Sequence, residues 1–147
     1  MKSKHFKDKE LRCPCCKVNK VNLQSLKKLE KAREIYGKPI YITSAYRCPK
    51  HNKKVGGHPK SSHLKGRAFD ISHYNTLLLL ALSTKSTSKQ RFKYLEQVVL
   101  QSRGYKLIKA LYQAGFRRFG IGTTFIHIDD DPEKPKEVCW IYGNKKR

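Results

Sequence analysis

The sequence lacks the long apolar segments that membrane insertion requires. No hydrophobic run approaches the roughly 20 residues of a transmembrane helix, and the run at 77–82 is far too short. Residues 1–12 are rich in charge and contain no apolar core, so we expect neither a membrane span nor a secretory signal. We therefore expect a protein made in the cytoplasm, for which any action outside it needs another route of release.

Acidic residues are scarce. The 11 aspartates and glutamates stand against 33 lysines and arginines, which gives a formal net charge of +22. A field of this sign attracts polyanions such as nucleic acid, anionic cell-wall polymers or lipid headgroups, and solubility alone is the alternative explanation. Because the lysines are spread along the chain, we expect no base-reading element and no nucleic-acid partner.

The five cysteines are an odd number in a chain without a recognisable signal. Free thiols or metal ligands are therefore favoured over a disulfide framework. The run Cys13-Pro14-Cys15-Cys16 is not a complete zinc knuckle, although Cys13 and Cys16 have the C-x-x-C separation. Two interpretations stay open, a small structural zinc site and ordinary reduced cysteines.

The remaining pattern predicts a single folded domain over 1–147, with flexible ends at 1–12 and 143–147. Hydrophobic periodicity predicts helices at 22–36 and within 90–114, and a short helical turn at 77–82. Predicted strands are 39–44, 68–72, the segment around His127, and an edge strand at 138–142. The segments 47–60 and 84–88 read as loops. These elements predict an α+β fold with a small antiparallel sheet flanked by helices.

One segment carries the most chemistry. Residues 61–70 read S-x-H-x-x-G-x-A-x-D, and a second histidine, His127, follows inside F-I-H-I-D. Two histidines and a carboxylate are a typical ligand set for a catalytic zinc with one open position. We therefore predict one zinc ion bound by His63, Asp70 and His127. The other histidines (His5, His51, His58 and His73) are interpreted as ordinary hydrogen-bonded side chains.

These motifs, together with T-S-A-Y-R at 43–47 and the segments 52–57 and 120–129, carry a family resemblance over about residues 6–140. The chain resembles the peptidoglycan-cleaving zinc peptidases of the D-alanyl-D-alanine carboxypeptidase type. Their superfamily includes D-alanyl-D-alanine dipeptidases, phage L-alanyl-D-glutamate endopeptidases and the hedgehog domain. The resemblance implies that fold with the metal site on the sheet, and peptidoglycan stem peptides as substrate. Separately, we expect a monomer. It also implies that Arg47 holds a substrate carboxylate or carbonyl, while Ser61 binds substrate or steadies His63.

One position departs from the family pattern. The dipeptidase and endolysin relatives place an acidic general base three residues before the last histidine ligand, where this chain has Thr124. Asp129 is the nearest acid, and strand alternation puts it on the same face as His127. We predict Asp129 as the general base, with orientation of a metal ligand as the open alternative.

The leading functional hypothesis is a zinc metallopeptidase that hydrolyses an amide bond of the peptidoglycan stem, as a carboxypeptidase or an endopeptidase. It would act on the wall after release, for example in phage or prophage lysis, and its positive charge would hold it near anionic wall polymers. The alternative is a non-catalytic zinc-containing module of the same fold that binds cell wall or another polyanion. A nucleic-acid-binding protein is a third hypothesis, which rests on charge alone.

Overall fold

The computed structural model describes residues 3–73, 87–98 and 103–143, and its α+β architecture confirms the predicted fold class. The predicted turn at 77–82 lies outside the described residues, as does most of the segment 84–88. The helices are α1 Asp8–Leu11, α2 Leu23–Tyr36, α3 Pro49–Lys54, a 3-10 helix Ser62–Lys65, α4 Ser88–Val98 and α5 Arg103–Gln113. The strands are β1 Ile42–Ser44, β2 Ala68–Ser72, β3 Arg118–Ile121, β4 Phe125–Asp129 and β5 Val138–Ile141.

Helix α2 shows how local sequence sets an element's bounds. The Asn22 side chain accepts hydrogen bonds from the backbone N–H groups of Gln24 and Ser25, which satisfies donors that a helix start leaves free. Gly37 ends the helix in a left-handed conformation, with φ of 70°. Between these caps, Leu26, Leu29 and Ala32 are buried against the core, as the helical spacing predicted.

The strands form one sheet in the order β1-β2-β4-β3-β5. The pairs β1–β2, β2–β4 and β3–β4 are antiparallel as predicted, but β3 and β5 are parallel, so the sheet is mixed. The cause is the connection after β4, which carries the chain past β3 so that β5 joins the far side of β3. Since β5 runs opposite to β4, and β4 runs opposite to β3, β5 and β3 are parallel.

The two faces of the sheet differ in chemistry. Phe69 and Ile71 of β2, with Ile126 and Ile128 of β4, lie on the face that the helices cover. Leucine and aromatic side chains from α2, α5, β3 and the connection between α5 and β3 complete this core (Leu26, Leu29, Leu107, Leu111, Phe116 and Phe119). Since side chains alternate along a strand, the residues between these positions lie on the opposite face.

Two predicted irregular segments contain structure. The expected loop 47–60 includes α3, which has a proline in its first turn and which Cys48 caps by accepting the His51 N–H. The expected flexible segment 1–12 includes α1, and Phe6 and Leu11 are buried in the core. The two helices were not predicted because their segments are short and mostly polar, and only a few apolar side chains in them pack against the core.

Candidate metal centre

The candidate site lies on a row of residues that crosses all five strands. Ser44 pairs with Asp70, Asp70 with His127, His127 with Gly120, and Gly120 with Trp140. Directly paired residues project to the same face of a sheet. The row therefore brings Asp70 and His127, which are 57 positions apart in sequence, into direct contact.

His63 reaches this row from outside the sheet. It lies in the 3-10 helix, which Ser61 caps by accepting the His63 backbone N–H at 3.3 Å. Gly66 ends that helix with φ of 66°, and a side chain there would meet the backbone oxygen of Lys20 at 1.9 Å. The glycine of the motif is therefore required both by its backbone conformation and by close approach.

The structure brings the three predicted ligands together. Nε2 of His63 lies 3.2 Å from Oδ1 of Asp70, and Nδ1 of His127 lies 2.8 Å from the same oxygen. All three side chains are buried, and the two imidazole rings approach edge to face at a centroid distance of 5.1 Å. This convergence supplies two nitrogens and one carboxylate oxygen to a single point.

The contacts of the second nitrogen of each ring are those expected of two histidine ligands to a cation at this point. Nδ1 of His63 lies 2.6 Å from the carbonyl oxygen of Ala45, so it must carry the proton. Nε2 of His127 faces a carboxylate oxygen of Asp129 at 3.2 Å, while its Nδ1 faces Asp70. Burial lowers the pKa of His127, but its hydrogen bonds with Asp129 and Asp70 and their negative charges outweigh burial and raise the pKa. With the proton of His127 on Nε2, both imidazoles would present a lone pair toward Asp70, an arrangement that a metal ion satisfies.

The pKa values follow from burial and from these contacts. Burial lowers the pKa of His63 and favours its neutral form, despite the opposing effect of Asp70. Burial alone would raise the pKa of Asp70, but hydrogen bonds and charge interactions with His127 and His63 outweigh it and place the pKa below its usual range. Asp70 is therefore an ionised carboxylate, which is the form that binds a metal.

Arg47 lies beside the same carboxylate. Its Nη2 donates to Oδ2 of Asp70, and its Nε donates to Oγ of Ser44 at 2.7 Å. The backbone N–H of Arg47 also donates to the carbonyl of His63 at 3.1 Å. The guanidinium group is thus fixed next to the candidate metal-binding point, with further N–H donors beyond these two contacts.

Asp129 is held by several donors at once. Besides His127, it accepts from Nε of Arg118 at 3.0 and 3.2 Å and from the Asp131 backbone N–H at 3.3 Å, and it is 1% exposed. These contacts outweigh the effect of burial and lower its pKa. Arg118 was not predicted from the sequence. The available signal was that Arg118 and Gly120, two residues apart along β3, lie on the same face of the sheet.

Two aromatic side chains, Trp140 of β5 and Tyr142 just after it, were also missed. The Trp140 ring lies 5.5 Å and the Tyr142 ring 6.4 Å from the His127 ring, measured between centroids. Gly120 makes room for both, since a side chain there would approach each ring to 2.6 Å. Burial, followed by the charge of Asp70, raises the pKa of Tyr142 to about 12, so the phenol is neutral. The single tryptophan of the chain was the signal.

The acids after β4 have structural partners. Asp130 accepts from Ser25 at 2.6 Å and from Lys28 at 2.8 Å, and thus ties β4 to α2. Asp131 accepts from Ser62 at 3.2 Å, next to His63. Thr124, at the position where relatives carry an acid, is exposed in the turn between β3 and β4.

Comparison with known proteins adds one finding. Residues 4–129 match the sequence model of a protein family described as Peptidase M15, and this span contains all three predicted ligands. No curated protein matches the chain. Within residues 3–73, 87–98 and 103–143, no helix has the length and apolarity to cross a bilayer.

Proposed function

The chain belongs to the peptidase M15 family of zinc-dependent peptidases, and on that premise we propose that it hydrolyses an amide bond in the peptide stem of peptidoglycan. The observation that carries the proposal is the convergence of ligand atoms of His63, Asp70 and His127 on one buried point. A zinc ion held there would polarise a scissile carbonyl and lower the pKa of a water molecule to about 7.

Arg47 is the proposed substrate-positioning residue. Two of its donors engage Ser44 and Asp70, and a guanidinium has five N–H donors in a planar fork. The remaining donors can bind a substrate carboxylate or carbonyl next to the metal-binding point, as the family resemblance implies. Stem peptides carry carboxylates at their termini and side chains, so this contact favours them over uncharged amides.

In this structure the Ser61 side chain contacts the backbone of His63. Its hydroxyl accepts the His63 backbone N–H and caps the 3-10 helix, which supports the proposal that it steadies this ligand. A direct contact with substrate remains a separate proposal, for which the half-buried position of Ser61 leaves room.

For Asp129 we favour orientation of His127 over general-base catalysis. Its Oδ2 accepts a hydrogen bond from Nε2 of His127, its carboxylate forms an ion pair with Arg118, and its side chain is buried. A carboxylate that accepts the outer N–H of a histidine ligand fixes the tautomer and the direction of the ring. A general base would have to exchange these contacts for one with water.

The net charge of +22 supports a polyanionic setting. Cell walls with anionic polymers would concentrate the protein near its substrate, and added salt would weaken that attraction. This effect concerns encounter and retention, since the charge lies outside the buried metal-binding point.

The decisive experiment is mass spectrometry of muropeptides after incubation of purified peptidoglycan with the full chain. We expect new products whose masses identify the cut as D-Ala-D-Ala, L-Ala-D-Glu or a cross-bridge. A chelator should abolish them, added zinc should restore them, and His63→Ala should yield none. Unchanged muropeptides with zinc-loaded, folded protein would contradict the proposal.

One observation favours a second function, a non-catalytic wall-binding module of the same fold. Thr124 stands where related enzymes have an acid, and the nearest acid, Asp129, is engaged on both oxygens. A binding module would sediment with purified walls and leave muropeptides intact, both with wild type and with His63→Ala. An enzyme would release cleaved muropeptides with the wild-type chain and none with His63→Ala.

A further inference from the structure

A second group of metal-ligand side chains lies away from the sheet. The Sγ atoms of Cys13, Cys16 and Cys48 all lie within 4.8 Å of one another. Cys15 lies between Cys13 and Cys16 in the chain and is exposed. We propose that Cys13, Cys16 and Cys48 bind a second zinc ion with a structural role, with Cys15 or a water molecule as the fourth ligand. We call these four cysteines the thiol cluster.

The spacing of the sulfurs suits this ion. Zinc in structural sites takes four ligands in a tetrahedron with Zn–S distances of about 2.3 Å, which places the sulfurs roughly 3.8 Å apart. Three sulfurs within 4.8 Å of one another therefore need only small side-chain rotations to close on one ion. Cys15 and Cys16 are exposed, so a metal ion can enter from solvent.

The backbone around the first two ligands is already folded as a tight turn. The Cys13 N–H donates to the Val18 carbonyl and the Lys17 N–H donates to the Cys13 carbonyl, both at 2.9 Å. Lys17 adopts φ of 60°, a left-handed conformation that is uncommon for a residue with a side chain. Such strain persists where surrounding contacts impose it, and the turn holds the sulfurs of Cys13 and Cys16 within 4.8 Å of each other.

Backbone N–H groups point at the sulfurs. Cys13 Sγ accepts from the Cys48 N–H at 3.4 Å, and Cys48 Sγ accepts from the His51 N–H at 3.4 Å. Burial raises the pKa of Cys13, but hydrogen bonds from the backbones of Cys48, Cys16 and Cys15 outweigh it and lower the pKa to about 7. Donors aimed at separate sulfurs stabilise thiolates, the form in which cysteine binds metals.

The thiol cluster fixes the chain next to the catalytic site. Cys48 directly follows Arg47, and successive backbone N–H groups of these two residues bind the His63 carbonyl at 3.1 Å and Cys13 Sγ at 3.4 Å. A metal ion that joins the turn at 13–18 to Cys48 would therefore restrain the backbone that presents the Arg47 guanidinium. This segment is short and polar and buries few side chains, so metal coordination by the thiol cluster would be what holds it rigid.

The test uses the full chain with the catalytic ligands removed, as the double variant His63→Ala, His127→Ala. We expect one zinc per chain to remain, against two in wild type. Replacement by Co²⁺ should give intense thiolate-to-cobalt charge-transfer absorption with tetrahedral d–d bands. These readouts involve no hydrolysis, so they stand apart from the proposed function. If the double variant does not fold, the zinc content and Co²⁺ spectrum of wild type decide.

Cysteine variants then assign the ligands. Cys16→Ser combined with Cys48→Ser should lose this zinc and the charge-transfer band, while Cys16→His should keep the zinc and weaken the band. Cys139→Ala, which removes a buried cysteine outside the cluster, is the matched control and should change neither. A protein with only one zinc and no thiolate band would overturn the proposal. So would a mass showing a native disulfide among these four residues.

Discussion

Oδ2 of Asp129 lies 3.2 Å from Nε2 of His127, the residue two positions before it on the same strand. This contact turns Nδ1 of His127 toward Asp70, where it lies 2.8 Å from Oδ1. The direction of one predicted metal ligand is thus set by a carboxylate, Asp129, that is not itself among the predicted ligands. Removing the negative charge of Asp129 should therefore act chiefly by lowering the affinity for the metal ion.

We accordingly expect Asp129→Asn to lower zinc affinity by about 10–100-fold, with activity falling in parallel. The asparagine amide would face Arg118 with a donor where the carboxylate now accepts. Competition with a fluorescent chelator and the hydrolysis rate, measured on the same preparation, test this. Undiminished affinity with a ~10²–10⁴-fold loss of rate would instead assign Asp129 as the general base. Glu34→Gln, at an exposed position of α2, is the control.

Substitution of a histidine ligand should remove the catalytic zinc. His63→Ala or His127→Ala leaves two of three protein ligands, so we expect the zinc content to fall by one ion per chain and activity to be lost. Elemental analysis after dialysis is the measurement. His58→Ala, at an exposed position, should retain both metal and activity. Equal zinc content in all variants would contradict the ligand assignment.

Arg47→Lys should impair turnover more than folding. Lysine keeps the charge but loses the fork that can engage Ser44, Asp70 and a substrate group together. We expect kcat/KM to fall at least about tenfold, the size of effect for one lost charge-assisted hydrogen bond of 1.5–3 kcal/mol. Zinc content and Tm should remain near those of wild type. Arg12→Lys, on the exposed end of α1, should behave as wild type, and equal rates for both variants would exclude Arg47 from substrate binding.

Gly120→Ala should destabilise the protein because its new methyl group would lie 2.6 Å from ring atoms of both Trp140 and Tyr142. Overpacking of this kind costs about 1–3 kcal/mol, and the displaced rings would also disturb the surroundings of His127. Urea unfolding measures the change in free energy. Gly143→Ala has no neighbour within 4 Å of the added atom and serves as the control. Stability equal to wild type would mean that the two rings are not fixed over Gly120.

Asp131→Asn should destabilise the protein at neutral pH and not in acid. Burial raises the pKa of Asp131, but hydrogen bonds from the Glu133 backbone, Lys65 and Ser62 outweigh it and lower the pKa. Its stabilising effect is therefore present above the usual carboxyl pKa of about 4 and is lost as pH falls through the lower folded value. We expect a difference of about 1–3 kcal/mol at pH 7 that shrinks toward zero below pH 4. A difference independent of pH would show that the charge is not responsible.

The sequence was sufficient to predict the α+β class, helix α2, the bounds of β2 and the convergence of His63, Asp70 and His127. Each of these depends on local periodicity or on a dense motif, which a single sequence carries. The parallel pairing of β5 with β3 was not predictable, because it depends on which strand the chain passes after Asp129. Arg118 and Trp140 were missed for a related reason, since they reach the site only through pairing between strands distant in sequence.

The row of residues from Ser44 to Trp140 has a consequence for the protein's life before it meets a substrate. Its members come from five separate strands, and the pair predicted to bind metal, Asp70 and His127, is joined only when β2 and β4 align. A chain in which β2 and β4 have not yet paired therefore contains every predicted ligand but not the site. On the proposed function, such folding intermediates would lack activity, and the pairing of the sheet would itself delay the chemistry until the fold is complete.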